Sequence, residues 1–235
     1  MMDTVLITGT DKGLGFSLVE RFLRGGARVF AGALKGPDRL AKLAKEFPTA
    51  LTGLQLDVTD MDSIVQAAQQ VRASTPGLDI LINNAGVHIE KEIAKLEELD
   101  FSDGHLERTL AVNTFGPLRM IQQFLPLLKA GQRKLIINIS SEAGSIADCP
   151  RSGEFAYCMS KSALNMQSKI LQNYLGPQGF KILAVQPGWM RTDMGGSNAI
   201  ISPDQSAEGI FALAGRRWTP QDEIYLDYQG KPLRW

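Results

Sequence analysis

The chain has 235 residues, 44% of them hydrophobic and 21% charged, which is the make-up of a globular protein with room for a sizeable core. Twenty-five basic residues balance 25 acidic ones, so no overall field favours nucleic acid or an anionic membrane. Two cysteines (Cys149, Cys158) and two distant histidines (His88, His105) exclude a disulfide framework and a metal-type spacing, and the longest apolar runs are too short to span a bilayer. Strand-like sequence begins almost at Met1 and leaves no secretory signal, so a cytoplasmic, metal-free protein is expected.

Along the chain, short apolar runs rich in β-branched residues alternate with longer amphipathic stretches. Strands are predicted over 4–8, 28–33, 51–56, 79–83, 134–140, 181–186 and 224–227. Helices are predicted over 14–25, 37–47, 60–73, 103–130, 155–175 and 203–214. Runs such as LDILIN and KLIINIS are apolar almost throughout, as suits strands covered on both faces. The alternation predicts an α/β fold, a Rossmann-type doubly wound parallel sheet of about seven strands with helices on both faces. No repeat, low-complexity tract or linker divides the chain, so residues 1–235 are expected to form a single domain. Ligands of such sheets sit beyond the carboxyl ends of the strands, and those loops are the candidates for chemistry.

The first strand runs into TGTDKGLG, Thr8 to Gly15. Its glycines, Gly9, Gly13 and Gly15, allow positive φ and close approach of a diphosphate to a helix N-terminus, with Lys12 and Leu14 beside it. The spacing is neither G-x-G-x-x-G nor a P-loop, and a plain glycine-rich turn is the alternative. After the second strand, VFAGALKG offers no carboxylate for a ribose 2′-hydroxyl. Lys35 and Lys12 would suit a 2′-phosphate, which favours NADP(H) over NAD(H) unless both lysines are simply solvated. Asp57, followed by Val58 at the end of the third strand, could accept from an adenine amino group or cap a turn. In Asn83-Asn-Ala85-Gly86 the glycine would let backbone lie flat against a ribose, with structural duty again the alternative. INISSEAG ends the fifth strand and YCMSK opens the next helix, where Tyr157 and Lys161 at i and i+4 share one face. In QPGWMRTDMGG, Pro187 and Gly188 redirect the chain, and the Thr192 hydroxyl could hold a nicotinamide carboxamide.

Taken in order, Thr8-Gly9-x-x-x-Gly13-x-Gly15, Asp57, Asn83-Asn-Ala-Gly86, Asn113, Ser141, Tyr157-x-x-x-Lys161, Pro187-Gly188 and Thr192 resemble the short-chain dehydrogenase/reductase family. PGWMRTDMGG and the tail LDYQGKPLRW look like its C-factor-like branch, whose relatives include carbonyl reductases. Ser141 matches the family serine better than Ser140, because it stands three residues before Gly144. It lies 16 residues before Tyr157, longer than the family's usual interval, which implies a small insertion in SIADCPRSGEF. Where relatives often carry an arginine after the second strand, this chain has Leu34 with Lys35 next to it.

The resemblance implies an NADP(H)-dependent oxidoreductase acting on a small carbonyl or alcohol. Asn113, Ser141, Tyr157 and Lys161 would be its catalytic set. Tyr157 would exchange the proton, and Lys161 would pull the phenol's pKa from about 10 toward neutrality while binding the nicotinamide ribose. Ser141 would hold the substrate oxygen, and Asn113 a water linking Lys161 to solvent. Segments 87–102, 142–156 and 189–203 would roof a partly apolar pocket with Ile89, Ile146, Phe155, Trp189, Met190 and Met194. Homodimers or homotetramers through the helices holding 113–128 and 157–174 are implied as well. A dinucleotide-binding regulatory or signalling protein is the second reading.

Overall fold

The computed structural model describes residues 2–36, 40–90 and 96–235. Seven strands make one sheet: β1 (Thr4–Thr8), β2 (Arg28–Ala33), β3 (Leu51–Gln55), β4 (Ile80–Asn83), β5 (Leu135–Ile139), β6 (Lys181–Gln186) and β7 (Tyr225–Asp227). All the pairings are parallel, in the order β3-β2-β1-β4-β5-β6-β7. The doubly wound parallel sheet is therefore as expected. Its helices are α1 (Gly13–Arg24), α2 (Ala41–Glu46), α3 (Met61–Ser74), α4 (His105–Leu110), α5 (Gly116–Ala130), α6 (Phe155–Leu175) and α7 (Pro203–Gly215).

Alternation along the strands explains the layers, because successive side chains point to opposite faces. Val5, Ile7, Val29, Ile82 and Ile137 pack on one face with Leu18 and Phe22 of α1 and Ile210 of α7. Leu6, Phe30, Leu81, Ile136 and Ile182 pack on the other with Ile64 of α3, Phe124 of α5 and Leu171 of α6. With helices on both sides, β5 is buried at every position, which is why its sequence lacks alternation.

Two departures from expectation have local causes. The helix expected over 103–130 is present, but a π-helical turn at Ala111–Phe115 divides α4 from α5. That turn holds Asn113, in keeping with the tendency of such bulges to mark functional positions. The helix expected over 37–47 is described only as Ala41–Glu46, and residues 37–39 lie outside the described residues.

The chain reverses direction across the sheet between β1 and β4, which are neighbours although two strands separate them in sequence. The loops after these two strands consequently meet at the switch point, where open α/β sheets bind ligands. No helix of the described residues is long and apolar enough to cross a membrane.

Candidate active site

At the switch point, the glycine turn after β1 lies against the Asn83–Gly86 loop. Gly9 has φ 67°, and a Cβ there would stand 2.7 Å from the Ala85 Cα. A Cβ on Gly15 would meet the Gly9 carbonyl oxygen at 2.1 Å, so only glycine lets the loops touch. Asn84 ties them further: its Nδ2 donates to the carbonyls of Thr8 (2.9 Å) and Gly9 (3.0 Å). The Thr8 hydroxyl accepts from the backbone N–H groups of Asn84 and Ala85, both at 3.0 Å. The chain then enters α1 at Gly13 with no side-chain cap from Lys12 and no acidic residue in the first turn. Such a helix start, with orphan N–H groups and the positive end of the helix dipole, suits an anion. Thr192, from the loop after β6, closes the far side: its Cγ2 lies 3.3 Å from where a Gly13 Cβ would be.

The end of β2 differs from the all-cationic patch expected there. Asp11 of the glycine turn accepts from the backbone N–H groups of Leu34 and Lys35, both at 3.0 Å. Lys12 is ion-paired with Asp193. The carboxylate missing after β2 thus arrives from the first loop, a placement that only the sheet order brings about.

Three further residues predicted to face the cofactor also take part in the fold. Asp57 Oδ1 accepts from the Thr59 N–H (2.8 Å) and hydroxyl (2.7 Å), a local turn cap made through one carboxylate oxygen. The Val58 side chain is buried in the core, 2.9 Å from where a Gly116 Cβ would be. Asn83 turns into the sheet and donates to Asn138 Oδ1 at 2.8 Å, and Asn138 donates in turn to Ser168. Pro187 and Gly188 make the turn out of β6; Gly188 has φ 86°, and a Cβ there would lie 2.4 Å from Ile201 Cδ1. The Thr192 hydroxyl accepts from the Gly195 N–H at 3.1 Å.

The four expected catalytic residues converge from β5, the π turn and α6. Ser141 caps the short 3-10 turn after β5, its hydroxyl accepting from the Ala143 N–H at 3.1 Å. Ser140 is committed elsewhere, donating to Asn165 Oδ1 at 2.6 Å. The Tyr225 hydroxyl donates to the Ser141 carbonyl at 2.7 Å, so β7 braces the serine from behind. The C-terminal Trp235 packs on Tyr225 with ring centroids 5.1 Å apart.

Tyr157 sits in the first turn of α6, and its backbone N–H is capped by the buried Glu90 carboxylate at 2.9 Å. His88 stacks on its ring at 4.2 Å. Burial pushes the phenol up to about 12; the Ser141 hydroxyl and Arg151 pull against this, while Glu142 and Glu154 add to it. The lowering expected from Lys161 is not among these influences. Lys161 Nζ lies 5.7 Å from the Tyr157 ring centroid and donates to the Ile139 carbonyl at 2.8 Å. Burial pulls the ammonium itself down to about 8. Loss of water acts on both groups and favours their neutral forms, and for the phenol it outweighs the charges around it.

Asn113, wholly buried, clips the β4 loop to the helices. Its Oδ1 accepts from the Val87 N–H, and its Nδ2 donates to the Val87 carbonyl, both at 2.8 Å, and to the Ser160 hydroxyl at 3.0 Å. Gly86 lies between the two halves: a Cβ there would be 3.4 Å from Asn113 Oδ1 and 3.8 Å from Lys161 Nζ. Its missing side chain leaves open the space beside the lysine.

The pocket wall is more polar than expected. Ile146, Trp189 and Met194 are exposed, while Met190 packs against the core. Beside Tyr157 stand Glu142, Arg151 and Glu154, with Arg151 bonded to both carboxylates. Burial pushes the Cys158 thiol up to about 11, consistent with a packing role. Sequence reasoning missed Asp11, Asn84, Glu90, Glu142 and Arg151. Of these, Asp11, Asn84 and Glu142 adjoin a motif residue closely enough to have been suspected.

Comparison with known proteins gives the family of the chain. A family model described as short chain dehydrogenase matches residues 3–200. C-signal of Myxococcus xanthus is 35% identical over 161 residues, 68% of this chain and 95% of that protein. The carbonyl reductase Sniffer of D. melanogaster superposes with a TM-score of 0.92 at 32% identity, covering 100% of both chains. An NADPH-bound carbonyl reductase from chicken fatty liver superposes with a TM-score of 0.88 at 32% identity, covering 100% of this chain and 99% of the other.

Proposed function

Because the chain belongs to the short-chain dehydrogenase family, we propose that it is an NADP(H)-dependent oxidoreductase interconverting a small carbonyl compound and its alcohol, with Tyr157 as general acid and base. The observation that carries the reading is the meeting of Tyr157, Ser141 and Lys161 beside the glycine turn. Gly86 links them, touching the lysine's space on one side while its neighbour Ala85 packs on Gly9.

The residues present fit a dinucleotide. The uncapped start of α1 and the bare Gly13 suit a diphosphate, and the gap at Gly86 suits a flat ribose next to Lys161. Thr192 stands where the loop after β6 meets the glycine turn. The preference for the phosphorylated cofactor draws on the NADPH-bound relative and on Lys12 and Lys35, against which Asp11 pulls. When bound, the nicotinamide supplies or takes the hydride.

The protein's own residues manage the oxygen and its proton. Tyr157 keeps its proton at neutral pH and gives it to the oxygen of a reduced carbonyl, taking it back in oxidation. Ser141 holds the same oxygen by its hydroxyl, fixed from behind through its carbonyl by Tyr225. Lys161 stands one turn along α6 and places positive charge where the phenolate forms. Asn113 orders the loop that borders the lysine. A homodimer through α5 and α6 is part of the reading, since Leu118, Met166, Ile170 and Tyr174 are exposed there. A solution mass of one chain would exclude it.

Incubation with NADPH and a panel of aldehydes, ketones and quinones tests the reading. Turnover is expected, and Tyr157→Phe should lower it about 10²- to 10⁴-fold with cofactor binding retained. The likeness to C-signal favours a second reading, a dinucleotide-binding regulatory protein. Cofactor binding without any turnover, and a biological output indifferent to Tyr157→Phe, would decide for it.

A further inference from the structure

The hydroxyl of Ser141 is already engaged. It donates to Glu142 Oε2 at 2.7 Å and accepts from the Ala143 N–H. The second oxygen of Glu142 accepts from Arg151 Nη2 at 2.6 Å, and Arg151 Nε bonds Glu154. Glu142 is half exposed, so its carboxylate stands at the mouth of the site with one oxygen on the serine. Burial alone would raise this carboxyl, but the bonds from Ser141 and Arg151 outweigh it and hold it below its usual range. The group is therefore ionised at neutral pH.

Acidic side chains cluster around Tyr157: among the described residues Glu90, Glu142 and Glu154 stand there with Arg151 and Lys161, and His88 Nε2 lies 3.4 Å from Glu154. Arg151 does not offer an open anion site. Its guanidinium already bridges two carboxylates, so an incoming acid would be the third around one cation.

We propose that Glu142 is a specificity-determining residue: its carboxylate accepts the Ser141 hydroxyl's hydrogen bond until a substrate carbonyl oxygen replaces it as acceptor, and its charge makes the site accept neutral or cationic carbonyl compounds while rejecting those with a carboxylate near the carbonyl. The inference rests on Ser141 and Tyr157 being the reacting pair. It goes beyond that reading by stating the charge class of the substrate. Like charges brought together in a partly dehydrated site cost enough to impose a preference of about tenfold or more.

The probe is a matched pair, methyl 4-formylbenzoate and 4-carboxybenzaldehyde, reduced with NADPH by the full chain. The ester should exceed the acid in kcat/KM by about tenfold or more, with the difference mainly in KM. Glu142→Gln, which keeps the size and removes the charge, should shrink that ratio by about the same factor, whereas Glu142→Asp should retain most of it. A ratio unaltered in Glu142→Gln, a wild-type protein that reduces the acid as well as the ester, or Glu142→Asp behaving like Glu142→Gln would each overturn the proposal. Calorimetric titration with benzamide and benzoate gives a second readout that needs no turnover. Benzamide should bind more tightly to the wild type and the gap should close in Glu142→Gln; equal binding of the two to the wild type overturns the proposal. Tyr157→Phe is measured alongside. If ester reduction survives that change, the assignment of the reacting residues fails, while the benzamide–benzoate difference still reports on Glu142.

Discussion

The two sides of the cleft are built by different means. On the β1–β2 side the geometry is made by backbone: glycines at 9 and 15 permit contact, and Asn84 and Asp11 bond main-chain atoms. On the β5–β6 side it is made by side chains, with Ser141, Glu142, Arg151, Glu154 and Tyr157 in one polar and ionic group. Backbone geometry tolerates few residue types, so that side should fail abruptly when altered. Side-chain electrostatics is graded, so the other side should respond by degrees and with pH.

Gly9→Ala is the sharpest way to break the comparison. The left-handed backbone alone costs about 1–2 kcal/mol for a residue with a Cβ. The new methyl would in addition press on the Ala85 Cα, 2.7 Å away, and push the two loops apart. NADPH affinity is expected to fall at least about tenfold in a fluorescence titration. Unchanged affinity would mean that the glycine turn does not hold the cofactor.

Lys161 gives the graded, pH-dependent counterpart. Its pKa is about 8 in the folded protein against 10.5 for the free group, so between these values the unfolded chain binds more protons. Stability relative to a Lys161→Met variant should therefore rise as pH climbs from 8 to 10, by on the order of 2 kcal/mol, because the cost of burying the ammonium is relieved as it deprotonates. The raised phenol of Tyr157 is common to both proteins and acts only above pH 10, so it cancels. Urea unfolding at pH 7, 8.5 and 10 measures the difference; a fall with rising pH would contradict the buried-ammonium account.

Asp11→Asn should have the smallest effect. The amide oxygen can still accept from Leu34 or Lys35, while the negative charge beside a ribose phosphate is removed. A several-fold gain in NADPH over NADH affinity is expected, as for an exposed charge screened by solvent. No gain would place the 2′-phosphate away from the end of β2.

Legibility followed the same division. The order of strands and helices and the glycine turn could be read directly, because apolar runs and glycines report on local backbone. Ser141 could be chosen over Ser140 from its distance to Gly144, and the fold gives a reason: Ser140 is bonded to Asn165. The roles of Asp57, Val58 and Asn83 were less accessible. Motif position put them near a ligand, and the structure adds the Asx turn, the core contact and the Asn83–Asn138 bond that their side chains also make. The π turn at Ala111–Phe115 leaves no mark in a hydrophobic pattern, which registers helix and not its pitch.

What the sequence determined by itself is the architecture and the order of the candidate site residues, since periodicity and turn chemistry depend on neighbours a few residues away. Only the tertiary structure decided the charges those groups feel. Glu90 reaches Tyr157 across 67 residues, Asp11 reaches Lys35 across 24, and Tyr225 reaches Ser141 across 84. Electrostatic and hydrogen-bonding influence depends on distance in space and on exclusion of water, and neither is set until the parallel strands bring their carboxyl ends to one edge.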